Sequence, residues 1–103
     1  MKIIILGGGS IGGSVATELS TEDNDIVVID NNEANLEPLK SKEGIKTVLG
    51  DATSPKTLSK SNLDEKSLLL CLTDSEEINL LASIIAHAKF DVMKIICRLK
   101  GSE

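Results

Sequence analysis

The stretch Lys2-Ile3-Ile4-Ile5-Leu6-Gly7-Gly8-Gly9-Ser10-Ile11-Gly12 decides how the rest of the chain is read. Ile3–Leu6 is an unbroken apolar run that passes straight into glycines. Continuous rather than alternating apolar character marks a strand covered on both faces, as in a parallel sheet. Gly7 to Gly12 fits G-x-G-x-x-G in one register only, between that strand and a helix expected over Ile11–Leu19. In such a setting Gly7 permits a tight turn, Gly9 lets a pyrophosphate approach the backbone, and Gly12 lets helix and strand pack closely. The free amides at the helix start, around Ser10 and Ile11, favour an anion. Alone the motif is weak, and a glycine-rich turn without a ligand is its plain alternative.

Working outward, four further apolar runs follow: Asp25–Ile29, Lys46–Leu49, Ser67–Leu72 and Lys94–Leu99. Helix-start signals lie between them. Asn31 or Asn32 is expected to cap a helix through about Glu43, and Ser54 precedes a first-turn Pro55. Asp74 with Glu77 has the spacing of a capping box. The helix beyond carries Ile78, Leu81, Ala82, Ile84, Ile85 and Ala88 as a broad apolar face. The pattern is βαβαβαβαβ. Right-handed crossovers make it an α/β, Rossmann-like doubly wound parallel sheet of five strands in the order 3-2-1-4-5. A complete dinucleotide fold usually has a sixth strand, whereas only Lys100-Gly101-Ser102-Glu103 follow the fifth run. Residues 1–103 are therefore expected to be one domain, without a linker and cut short at its C-terminal end.

Composition excludes several classes. Leu, Ile, Val and Phe make up 32 of 103 residues, well above the level of disordered chains. The net charge is −5, the ten lysines and one arginine are scattered, and Phe90 is the sole aromatic residue. Neither a basic patch nor a stacking platform for nucleic acid is present. No apolar run approaches the length that crosses a bilayer, and the start of the chain is too short for a secretory leader. Cys71 and Cys97 both sit in apolar runs, which suits reduced buried thiols of a cytosolic protein.

The residues that carry chemistry gather at the ends of the runs. Asp30 lies 18 residues beyond Gly12, close to the distance expected of the acid that accepts hydrogen bonds from a ribose. Asn31 follows it in the turn. No Arg or Lys occurs between Asp30 and Lys40, so a 2′-phosphate would meet a carboxylate and no partner, which disfavours NADP. Asp51, after the third run, and Thr73 and Asp74, after the fourth, fall at the carboxyl edge where open α/β sheets bind ligands. Capping and turn formation are equally open roles for them. Arg98, near the end of the fifth run, either reaches a phosphate or pairs with a surface carboxylate. His87 has no Cys or His at ligand spacing, so no metal is expected. No Ser/His/Asp or Cys/His arrangement emerges, and the chain has no tyrosine for Tyr-Lys dehydrogenase chemistry.

These elements together resemble the N-terminal nucleotide-binding domain of Trk-type potassium-uptake regulators, also called RCK or KTN domains. The resemblance runs over nearly the whole chain. Its most specific parts are Gly50-Asp51-Ala52-Thr53 and Leu70-Cys71-Leu72-Thr73-Asp74 through Glu77 and Asn79, with Ile96-Cys97-Arg98 beyond. The resemblance implies a non-enzymatic, cytoplasmic regulator at the inner face of the membrane. It would bind NAD(H) or ATP/ADP and gate a membrane potassium transporter subunit as a homo-oligomer. Carried over by position, Gly7, Gly9, Gly12, Asp30, Asp51, Ala52, Thr73 and Arg98 line the nucleotide site. Ser10 stands where the family often has Arg or Gln. The alternative class is the cofactor-binding half of an NAD-dependent oxidoreductase, since fold alone does not assign a reaction.

Overall fold

A computed structural model describes residues 1–21 and 23–100. Five strands, β1 (Lys2–Leu6), β2 (Asp25–Asp30), β3 (Ile45–Leu49), β4 (Leu68–Cys71) and β5 (Lys94–Cys97), form one parallel sheet. Their order is β3-β2-β1-β4-β5, as expected from the run of apolar segments. The first run, β1, is thus the central strand, in register with β2 (Ile4 opposite Val27) on one side and β4 (Ile4 opposite Leu69) on the other.

Both faces of the central strands are buried, which is why Ile3–Leu6, Ile26–Ile29 and Leu68–Cys71 are apolar without a break. Ile4, Leu6, Val27, Ile29, Leu69 and Cys71 enter one core, beneath α3 (Pro55–Ser59) and α4 (Glu76–Phe90). Ile3, Ile5, Ile26, Val28 and Leu70 enter the other, with Ala16 of α1 (Ser10–Leu19) and Leu36 of α2 (Glu33–Leu36). Each fully buried aliphatic side chain contributes roughly 1.5–3 kcal/mol, so Ile4, Ile5 and Leu6 anchor the sheet from its middle.

Several expected boundaries move, each for a local reason. Asn32 is the cap of α2, with its side chain accepting from the Ala34 amide at 3.0 Å. The helix does not continue to Glu43: it is one turn long and passes into a 3₁₀ turn over Glu37–Leu39. Pro38 lacks the N–H that would bond to Ala34 and its ring crowds that carbonyl. At α4 the cap is Ser75 rather than Asp74. Ser75 is extended (φ −101°, ψ 112°) and its Oγ accepts from the Ile78 amide at 3.2 Å. The Thr73 hydroxyl accepts the Ser75 amide at 3.1 Å, so the turn is used up before the helix begins.

The apolar face of α4 is also wider than the stripe it buries. Ala82 and Ala86 are buried against the sheet, whereas Leu81 and Ile84 are 49% and 64% exposed and Ala88 is exposed as well. The two cysteines are cross-strand neighbours, Cys71 opposite Cys97, and both are free thiols. Cys71 is buried and its thiol pKa is pushed well up by burial. Cys97, on the edge strand, is only half-buried. Among the described residues, no helix is long and apolar enough to cross a membrane.

Candidate functional site

All five strands are parallel, so their carboxyl ends lie along one edge of the sheet. The chain order reverses between β1 and β4: β1 leads outward to β2 on one side, while β4 and β5 lie on the other. Loops at such a reversal splay apart, and the crevice between them is where open α/β sheets take ligands. Here it is a cleft of about 450 Å³.

The glycine loop forms its floor. The Gly7 amide donates to the Ile29 carbonyl at 2.8 Å, carrying the β1–β2 ladder one step past the strand. Gly7 then turns with φ +101°, in the region that favours glycine. A side chain at this position would also press on the backbone of Leu72 and Thr73. Gly12 is required by close approach: a Cβ there would run into the Gly7 carbonyl. Gly9 differs, because a Cβ built on it meets nothing within 4 Å. Its bare backbone faces open space. Gly9 is also the N-cap of α1, and no side chain caps that helix. The starts of α2, α3 and α4, by contrast, are each capped by a side chain: Asn32, Ser54 and Ser75. The amides of the first turn of α1 are thereby left for an outside acceptor.

Asp30 ends β2 and is only 9% exposed. Its Oδ2 accepts from the Gly8 amide at 2.7 Å and from Asn35 Nδ2 at 3.1 Å, while Oδ1 accepts from the Asn32 amide at 2.8 Å. The carboxylate therefore ties the glycine loop to the β2–α2 turn while keeping its edge on the cleft. Asp51, beyond β3, is exposed and folds back on Thr53. It accepts from the Thr53 amide at 2.8 Å and the hydroxyl at 2.7 Å, which lowers its pKa.

The opposite wall hangs on one buried amide. Asn79, 1% exposed, accepts at Oδ1 from the Thr73 amide (3.1 Å) and hydroxyl (2.7 Å). Its Nδ2 donates to the Thr73 carbonyl at 3.2 Å and to the Arg98 carbonyl at 2.9 Å. Arg98 lies one residue beyond β5, and its amide continues the ladder to the Cys71 carbonyl at 2.9 Å. The side chain is half-buried, lines the cleft, and makes no salt bridge among the described residues. Of its two open roles, pairing with a surface carboxylate is thus not the one seen.

The cleft brings together Gly7, Gly9, Ser10, Ile11, Asp30, Asn31, Asp51, Ala52, Thr73, Asp74 and Arg98. Gly12 is not on its surface, because it lies buried beneath the loop. Asp74 lines the cleft as an exposed residue rather than as a helix cap. Sequence reading missed Ile29, Asn35, Gly50, Leu72, Ser75 and Ile78. Four of these are immediate neighbours of residues it found. Asn35 and Ile78 are the third residues of α2 and α4; no motif marks Asn35, and Ile78 reads in the sequence only as part of the apolar face of α4.

The TrkA-N domain family matches residues 3–103. The chain is 38% identical over 103 residues to the Trk system potassium uptake protein TrkA of Haemophilus influenzae, of which it spans 22% of the length. Among solved structures, the NAD(P)-binding domain of an exopolyphosphatase-related protein from Archaeoglobus fulgidus superposes with a TM-score of 0.80 at 23% identity. That match covers 96% of this chain and 73% of the other. The Shewanella denitrificans Kef C-terminal domain, described in its AMP-bound form, superposes with a TM-score of 0.78 at 24% identity, covering 94% and 58%. The last two likenesses show the shared fold; the family match, running through the glycine loop, Asp30 and Arg98 alike, goes further, and on it the chain belongs to the TrkA-N domain family.

Proposed function

We propose that residues 1–103 are a single regulatory nucleotide-binding domain of a potassium uptake system, holding NAD(H) or ATP/ADP in the cleft at the sheet's carboxyl edge. The observation that carries this reading is the pairing, in one cleft, of an uncapped helix start at Gly9 with the guanidinium of Arg98, which has no salt-bridge partner among the described residues. Both are groups that want an anion, and Gly9 leaves room for its approach. In this reading Asp30 takes hydroxyls of the adenine ribose, the first-turn amides around Ser10 and Ile11 take phosphate, and Arg98 takes phosphate from the other wall. Asp51, Ala52, Asn31, Thr73 and Asp74 border the nucleotide.

The ligand acts here by binding rather than by reacting. A ligand that prefers one conformation shifts the balance only by its difference in affinity between the states. The cleft has one wall on the β1–β3 side and another on β4–β5, so a bound nucleotide responds to their spacing. Relatives named as Trk potassium uptake proteins support a regulator over an enzyme. We place the domain in the cytoplasm, at the inner face of the membrane, acting as a homo-oligomer on a pore subunit. The test is side-by-side calorimetric titration of NADH, NADPH, ATP, ADP and AMP into the 103-residue chain. Tighter binding of NADH than NADPH is expected; absence of binding by all five overturns the reading.

A further inference from the structure

The hydrogen bonds of Asp30 bear on how a ribose would be recognised, an inference that rests on the nucleotide reading above. A carboxylate offers about four acceptor positions, two on each oxygen. Asp30 Oδ2 already serves two donors, the Gly8 amide and Asn35 Nδ2. Oδ1 serves one, the Asn32 amide. One position remains, on Oδ1. A ribose with both hydroxyls presents a vicinal pair of donors, one suited to each oxygen, whereas a 2′-deoxyribose presents one.

The three donors are not equivalent. The Gly8 and Asn32 amides belong to backbone fixed by the glycine loop and the α2 cap. Asn35 reaches Asp30 with a side chain, at the longest of the three distances, 3.1 Å. It is half-buried, lines the cleft, and can rotate away without moving backbone. We infer that Asn35 is a specificity-determining residue that competes with one hydroxyl of the ribose diol for Asp30 Oδ2. A ligand with one hydroxyl uses the free Oδ1 position and leaves Asn35 in place. A ligand with the diol displaces it. Asn35 therefore compresses the preference of the site for ribo- over deoxyribonucleotides.

The test is calorimetric titration of ADP and 2′-deoxyADP into the unmodified chain and Asn35→Ala, with circular dichroism to show that the variant is folded. Removing the competitor is expected to tighten ADP by roughly 2- to 10-fold, the worth of about one hydrogen bond. 2′-DeoxyADP is expected to change by less than about 2-fold, because its single hydroxyl never meets Asn35. Equal changes for the two ligands, or no tightening of ADP, overturn the inference. Should Asn35→Ala fold poorly, the side-chain amide resonances of Asn35 in the unmodified chain give the same answer. They should shift on saturation with ADP and stay in place with 2′-deoxyADP; the same response to both overturns the competition. Binding of neither ligand to the unmodified chain is a separate result, which removes the nucleotide reading for the ADP moiety and this inference with it.

Discussion

The side-chain amide of Asn79 donates to the backbone carbonyl of Arg98 at 2.9 Å, joining the start of α4 to the chain just past β5. The same amide group holds three atoms of Thr73. The β4–α4 turn and the Arg98 segment therefore have a common fixed point, buried beneath the cleft wall.

Asn79→Leu fills a similar volume but leaves the Thr73 amide and the Arg98 carbonyl without their partner. Each buried group stranded this way costs about 1–3 kcal/mol, so a loss of several degrees in Tm is expected. Adenosine nucleotides should also bind more weakly, and in an Arg98→Ala background that second effect should shrink. An undiminished effect in the double variant would show that Asn79 acts on the fold alone.

Gly9 and Gly12 should respond in opposite ways. Gly9→Val puts a side chain into open space where a phosphate would approach, so the fold should persist and nucleotide binding should vanish. Gly12→Ala drives a methyl group into the Gly7 carbonyl and should unfold or distort the loop. Thermal melts of the two variants, read beside titrations, separate the roles; a folded Gly9→Val protein with unchanged affinity would falsify the loop assignment.

How much of this was legible beforehand depends on the range of the interaction. The sheet order follows from unbroken apolar runs, and Asp30 and Arg98 were found because they sit at the ends of such runs. The true cap of α4 was not, because Asp74 and Ser75 are adjacent and equally suited. Only the bond from the Ser75 amide to Thr73 decides between them. Asn79 belonged to a recognisable motif, but its link to Arg98 spans 19 residues and exists only once β5 is docked. The exposure of Leu81 and Ile84 was hidden for the converse reason: periodicity reports which residues are apolar, not how wide the surface beneath them is.

Asp30 carries both structure and ligand preference. Asp30→Asn sets an amide group against one of the two backbone donors, Gly8 or Asn32, so stability should fall by about 1–3 kcal/mol. Asp30→Ala should in addition narrow the gap between NADH and NADPH, because the carboxylate that repels a 2′-phosphate is gone. Equal affinity of the unmodified chain for the two dinucleotides would count against that role.

Arg98→Ala should weaken ADP or NADH by about 10- to 150-fold if its guanidinium makes one charge-assisted bond, and less in proportion to its solvent exposure. Adenosine should be almost unaffected. Arg98→Lys restores charge without the planar fork and should recover only part of the loss. Equal losses for adenosine and ADP would place the effect in the fold instead.

The Asp51–Thr53 turn predicts a small pH dependence. The Thr53 amide and hydroxyl hold the Asp51 carboxyl below its usual pKa. A carboxylate depressed in the folded state adds stability above its unfolded pKa, and loses it as pH falls through the folded one. Thr53→Ala removes the hydroxyl bond, so its melting temperature should trail the parent at pH 7 and approach it as the pH falls through the lowered pKa of folded Asp51. A difference independent of pH would mean that the carboxylate is not involved.

Because β1 is made first yet sits in the middle of the sheet, synthesis and assembly run on different clocks. One edge of β1 can pair as soon as β2 is complete at Asp30, and the bond from Gly7 to Ile29 can close the glycine loop with it. Its other edge must wait for Leu68–Cys71. During that interval a nascent chain on the ribosome carries Ile4 and Leu6 without α4 above them, and an open strand edge beside them, features that invite mispairing with other chains. Thr73 and Arg98 emerge later still, so the half-made domain is at its most adhesive while one wall of its cleft is still missing.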